Sequence, residues 1–211
     1  SNFRSFRDEQ SFSMDRDERF MELGDSHHSP ITAVYGANAS GKSNFLKALR
    51  AMSSMVSNSY SQGDANSAIP RSPFLLRKDP LSQPSSFFLE FIANDRLKYQ
   101  YWFRYDNRRI IEENLIFFKN LEGRFSTHSS LLFSRSSTNE VKFGPSFKGP
   151  RAQVRKTIQL RPNSLLLSAA AAAGIASIQP VFSFFQNGIA YYEASAFEQE
   201  QPMLLEEFKK E

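Results

Sequence analysis

Apolar and polar residues alternate with two different periods along this chain, and the changes of period mark its organisation. Ile31-Thr32-Ala33-Val34-Tyr35 is a short β-branched apolar run, the pattern of a strand buried on both faces. After a glycine-bearing loop, Phe45, Leu46, Ala48, Leu49, Met52, Met55 and Val56 recur at helical spacing. Strand, loop and helix therefore follow directly on one another. Residues 57–86 are rich in Ser, Asn, Gly and Pro, with Pro70, Pro73, Pro80 and Pro84, and predict a long connection.

The period then becomes two. Phe87 to Ile92, Leu97 to Tyr105, Arg109 to Phe118, Leu131 to Phe133 and Glu140 to Phe143 predict successive strands separated by turn-like segments. In the second, Leu97, Tyr99, Tyr101, Phe103 and Tyr105 share one face, against Lys98, Gln100 and Arg104 on the other. Such alternation describes a half-buried antiparallel meander, and it assigns those rings to a core rather than to base stacking.

From residue 150 the pattern turns again. Leu165-Leu166-Leu167 suggests a buried strand, and Ala169 to Ala173 a tightly packed helix start that Gly174 interrupts. Val181 to Phe185 belongs to a helix or its packing partner, and Glu198 to Glu211 starts an amphipathic helix. At the other end, Phe3, Phe6, Phe12 and Met14 among charges fit a strand or hairpin with one buried face. His27-His28, before Ser29-Pro30, falls in a loop; with only His128 besides, a metal site lacks ligands. The chain divides into a strand–loop–helix core (1–60), a connection (61–86), a β insertion (87–160) and a returning strand and helical segment (161–211). It begins without Met and stops in a charged stretch, so both ends are expected to lie inside a longer protein.

Composition adds bounds. The 211 residues are 40% apolar and 23% charged, enough for a real core, and 21 Phe against one Trp predict aromatic packing within it. A net charge of +4 favours an acidic partner only weakly. The absence of Cys excludes disulfides and thiolate chemistry, and no run reaches the roughly 18–20 apolar residues of a bilayer span. No membrane partner and a cytoplasmic location are expected.

The chemistry resides in Gly36-Ala37-Asn38-Ala39-Ser40-Gly41-Lys42-Ser43, a GxxxxGK[ST] sequence. Chance would place one in such a chain on the order of once in a hundred, and its setting between strand and helix lowers those odds. Gly36 and Gly41 permit backbone angles that turn successive N–H groups inward, and the helix start near Lys42 adds unpaired donors and a positive dipole end. Lys42 supplies charge to the β- and γ-phosphates, and the Ser43 hydroxyl is a Mg²⁺ ligand. The expected ligand is a purine nucleoside triphosphate, ATP with Mg²⁺. Hydrolysis needs in addition an acid at the end of a second apolar strand. Phe88-Leu89-Glu90 lies in the meander and Leu204-Leu205-Glu206-Glu207 reads as helix, so neither provides it.

Three segments together resemble one group of proteins: Asn2-Phe3-Arg4-Ser5-Phe6, Tyr35 to Leu49 with the loop, and Arg161-Pro162-Asn163-Ser164-Leu165-Leu166-Leu167-Ser168. They look like the N-terminal half of an ABC-type AAA ATPase of the AbiL/RloA-like group, related to OLD, RecF and SMC ATPases and associated with bacterial defence. The resemblance implies an α/β fold, a P-loop NTPase (ABC-ATPase-like) lobe with an inserted antiparallel β meander and a C-terminal helical segment. It implies heads that dimerise around ATP, a nuclease effector subunit, and signature, Walker B and switch residues beyond residue 211. It places Asn44 with the loop in the nucleotide site, and Arg4 to Phe6 beside the adenine. The strand at Leu165 to Leu167 is followed by Ser168, with no Gln before Gln179, which leaves the Mg²⁺-sensing glutamine unassigned.

Arg104, Arg108, Arg109, Lys119, Arg124, Arg135, Lys142, Lys148, Arg151, Arg155 and Lys156 gather in and after the meander. They could follow the phosphates of DNA or RNA. Interspersed Glu112, Glu113, Glu122 and Glu140 favour a solvated sheet face instead. Three functions stay open: an ATPase head driving a DNA- or RNA-directed machine, a P-loop GTPase or kinase, and a non-enzymatic nucleotide-gated interaction module. The second is disfavoured by the long antiparallel insertion and by the lack of an Asn/Thr-Lys-x-Asp base-reading motif.

Overall fold

The computed structural model describes residues 1–14, 32–62, 64–76, 78–122, 124–137 and 140–192. His27-His28 and the helix start at Glu198 to Glu211 lie outside them. The described elements run in the order α1 (Lys42–Asn58), β1 (Ser85–Ile92), β2 (Lys98–Tyr105), β3 (Ile110–Leu121), β4 (Arg124–Arg135), β5 (Val141–Phe143), α2 (Arg151–Leu160), α3 (Leu166–Ala172) and α4 (Gln179–Asn187).

The five strands form one antiparallel meander in sequence order. Its predicted alternation holds: Phe87, Phe91, Tyr99, Tyr101, Phe103, Tyr105, Leu115, Phe117 and Phe133 are all buried. Helix α4 lays its aromatic side on this face, with Phe184 stacked on Phe91 at 4.0 Å and Phe185 edge-on to Tyr101 at 5.7 Å. Each fully buried ring of this kind contributes about 1.5–3 kcal/mol, so the rings are structural, not a base-stacking platform. The outer face is solvated. There Glu90 meets Lys98 and Gln100, and Glu112 meets Arg104 and Trp102.

Four expectations are corrected. Residues 32–35 form no strand, and Val34 and Tyr35 are 45% and 90% exposed. A run buried on both faces needs ladder partners, and every described strand is already committed to the meander. The fourth strand starts at Arg124 rather than Leu131, because polar Ser126, Thr127, Ser129 and Ser130 occupy an exposed arm of the β3–β4 hairpin and hide its periodicity.

Leu165 to Leu167 opens α3 instead of forming a strand. Leu166, Leu167, Ala169 and Ala170 are buried around the whole helix, which erases the 3.6-residue period. Gly174, at φ 71°, ends it with its N–H bonded to the Ala171 carbonyl. Finally, the N-terminal residues make no hairpin of two strands. A tight turn pairs Phe3 with Phe6; Phe3 is buried, while Phe12 and Met14 are exposed.

The connection between α1 and β1 has no regular structure but is tied down. Asn163 donates to the carbonyls of Asp64 and Ser67, and Ile69 donates to that of Asn107. Asn2 holds both Gln83 and Phe74.

Candidate functional site

Helix α1 begins directly after the glycine loop. Gly41 is its N-cap residue at φ 100°, a left-handed angle that favours glycine, and Ala39 precedes it at φ 64°. Ser40 donates its N–H to the Ala37 carbonyl, and the first helical bond runs from Phe45 N–H to the Gly41 carbonyl. The N–H groups of Lys42, Ser43 and Asn44 therefore precede any helical acceptor. No side chain caps them and no acid occupies the first turn, so the helix end is left to an external anion.

Lys42 folds back over the loop. Its Nζ donates to the carbonyls of Gly36 at 2.6 Å and Ala37 at 2.7 Å. The ammonium thus sits on the carbonyls of the same loop that leads into the uncapped helix start, and Ser43 is exposed. A triphosphate fits this donor set: backbone amides, one cation held by exchangeable carbonyls, and one hydroxyl. Among the described residues no group of three or more His, Cys, Asp or Glu could hold a metal ion by itself. Ser43 would be the protein's Mg²⁺ ligand, with phosphate oxygens and water completing the shell.

The N-terminal turn is brought onto this loop. Asn44 donates to the Ser5 hydroxyl at 2.9 Å, and a Cβ at Gly41 would lie 2.9 Å from the Phe6 ring. The turn is anchored from behind by the Arg4 N–H bonded to the Ser72 carbonyl. Ser5 and Phe6 therefore flank the loop, 30 or more positions away in sequence, while the Arg4 guanidinium lies over the Phe3 ring.

The acids tell a different story. Glu90 is on the solvated sheet face with Lys98. Gln179 donates to the Ala171 carbonyl at the start of α4. The one acid that sequence reasoning missed as special is Glu113, fully buried on β3. It accepts the N–H groups of Leu166 and Leu167 and the Tyr101 hydroxyl, and lies 3.7 Å from the buried Arg135 guanidinium. Burial raises the Glu113 carboxyl above its usual range, with Arg135 and the two N–H groups pulling it back; burial likewise raises the Tyr101 phenol. Its place on the inward parity of β3, alternating with Leu115 and Phe117, was the available signal.

Within the basic group, Arg135 departs from the expected solvated sheet face. Arg135 is buried, donating to the Ser164 and Pro162 carbonyls; Arg151 and Arg155 hold the carbonyls of Gly144, Phe147 and Val141. Of these three, Arg135 is closed off from a phosphate backbone by burial.

No helix among the described residues is long and apolar enough to cross a membrane. Comparison with curated proteins and with solved structures gives no match. A family model described as "AAA domain, putative AbiEii toxin, Type IV TA system" matches residues 31–208, which takes in the loop, α1, the whole meander and the helices packed on it. With most of its length matched and a phosphate-binding loop at the head of α1, the chain belongs to this AAA-domain family and carries a nucleotide-binding domain of the P-loop ATPase type.

Proposed function

We propose that this chain binds ATP with Mg²⁺ on Gly36 to Ser43 as the head of an ABC-type ATPase akin to the AbiL/RloA-like group. One observation carries this reading: Lys42 Nζ rests on the Gly36 and Ala37 carbonyls directly above the uncapped start of α1. Both bonds are exposed and can be exchanged for phosphate oxygens without disturbing the core. The amides of Gly36 to Ser43 cradle the phosphates, Lys42 neutralises the β- and γ-phosphates, and Ser43 ligates Mg²⁺. Asn44, through Ser5, fixes the turn that brings Arg4 and Phe6 alongside the nucleoside.

In this reading the head is gated by nucleotide. Two copies close on ATP and drive a nuclease effector against DNA or RNA in antiviral defence, in the cytoplasm. Support comes from the exposed surface next to the loop: Tyr35 and Leu46 stand in solvent where a second body would cover them. The test is a titration of the purified protein with ATP and GTP in Mg²⁺, followed by sizing with and without ATP. Tighter binding of ATP and an ATP-dependent doubling of mass are expected. Equal binding of both nucleotides removes the ATPase-head reading in favour of a less selective P-loop protein.

A further inference from the structure

A cleft of about 720 Å³ runs along the flank of α1, walled on its other side by the N-terminal turn and residues 67–72. Its α1 wall extends from Lys47 to Asn58, roughly 16 Å of helix at about 1.5 Å per residue, leading away from the phosphate loop. Four cations line it, Arg4, Lys47, Arg50 and Arg71, and no Asp or Glu does. None of the four has a carboxylate partner among the described residues.

Three of these cations are held in set orientations. The Arg50 guanidinium stacks over the Tyr191 ring at 5.0 Å, Arg71 over Tyr105 at 5.9 Å, and Arg4 over Phe3 at 5.8 Å. Arg71 is further fixed by Ser85 and the Gln83 carbonyl. Lys47 and Arg50 sit one turn apart on the same helix face. Four cations gathered in one cleft without an acid repel one another, and an anion relieves that cost. On the meander, by contrast, Lys98, Arg104, Arg109 and Arg135 each face a carboxylate.

From this we infer that the α1 cleft holds a short stretch of single-stranded nucleic acid through its phosphates. Its length suits successive phosphates better than one compact anion. The rings at its edge, Phe3 and Tyr105, are buried beneath guanidinium groups, so they offer no slot for a free base. Recognition is therefore of the backbone, tolerant of sequence. The inference deepens the nucleic-acid part of the proposed function, and its test turns on Lys47 and Arg50, which the nucleotide reading does not use; Arg4 alone is common to both.

The experiment is fluorescence anisotropy of the whole chain with labelled 12-nucleotide DNA and RNA strands, in a salt series. The double variant Lys47→Ala/Arg50→Ala should bind about tenfold more weakly, and its log–log salt slope should fall by about 1.4, the share of two phosphate contacts on a single strand. Lys42→Ala and the meander variant Lys142→Ala should bind strands as the parent does, and the double variant should keep its ATP affinity and melting temperature. No strand binding by the parent, an undiminished salt slope in the double variant, or an equal loss in Lys142→Ala would overturn the assignment. So would displacement of the strand by poly-glutamate at equal charge, which would make the cleft a site for acidic peptide.

Discussion

The Glu113 carboxylate on β3 accepts the Leu166 N–H at 2.6 Å, across 53 positions of sequence, and so caps the helix that the apolar run Leu165 to Leu167 begins. One charge does three tasks: it closes the exposed donors of α3, receives the Tyr101 hydroxyl, and offsets Arg135, its register partner on β4. Removing it strands a buried guanidinium. Glu113→Ala should lose about 3–5 kcal/mol of stability, the cost of breaking rather than replacing a buried pair. The double variant Glu113→Leu/Arg135→Met should recover much of that loss. Urea denaturation followed by circular dichroism measures both, and a Glu113→Ala protein within 1 kcal/mol, roughly, of the parent would contradict the assigned role.

Much of this fold could be read from the chain, and two of the failures arise where burial is not one-sided. Where one face is buried and the other wet, as in Tyr99 to Tyr105 or Met52 to Val56, periodicity reports the element directly. Where burial is all round, periodicity vanishes: Leu165 to Leu167 looks like a strand and is a helix start. Where burial is absent, as along Arg124 to Ser130, a strand held by backbone pairing alone leaves no apolar trace. The glycine loop ahead of α1 could be picked out because it is local, eight consecutive residues, and the expected helix follows it directly. The Glu113–Arg135 pair could not, since it joins positions far apart in sequence; the approach of Phe6 to Gly41, equally distant, is reached only through the resemblance that sets Arg4 to Phe6 beside the nucleotide.

That approach makes Gly41 sensitive. Gly41→Ala places a side chain at φ 100° and a Cβ 2.9 Å from the Phe6 ring. Backbone strain of this kind costs about 1–3 kcal/mol, and the ring must move as well. Gly36→Ala meets only the Ser40 hydroxyl, at 2.8 Å, and carries no left-handed angle, so a rotamer change absorbs it. The expected order of ATP affinity is parent, then Gly36→Ala, then Gly41→Ala, with a lowered melting temperature only in the last. Equal melting of the two variants would show that the N-terminal turn does not bear on the loop.

Lys42→Ala separates binding from folding. The bonds it removes go to exposed loop carbonyls that water can satisfy, so the melting temperature should stay within a degree or so of the parent. A charge-assisted phosphate contact at a solvent-open site is worth about 1.5–3 kcal/mol, which corresponds to a loss of ATP affinity of roughly ten- to 150-fold. Calorimetric titration with Mg·ATP reads it. An unchanged dissociation constant would remove the phosphate-site assignment.

Turnover should behave differently from binding. In-line attack on a γ-phosphate needs a carboxylate or equivalent to orient water, besides the cradle and Mg²⁺. Among the described residues, Glu90 is engaged by Lys98 and Gln100 on the wet side of the sheet. Glu113 is closed in on every side by Tyr101, Arg135 and the first amides of α3, and bringing it to a nucleotide would cost the 3–5 kcal/mol, roughly, that it holds in the fold. Neither can serve while the structure stands. The isolated 211-residue chain should therefore bind Mg·ATP yet release phosphate at the uncatalysed background, in a malachite green assay run over hours. Steady turnover that Lys42→Ala abolishes would mean that an acid other than Glu90 and Glu113 reaches the loop, and it would overturn the reading of this chain as a binding head without turnover.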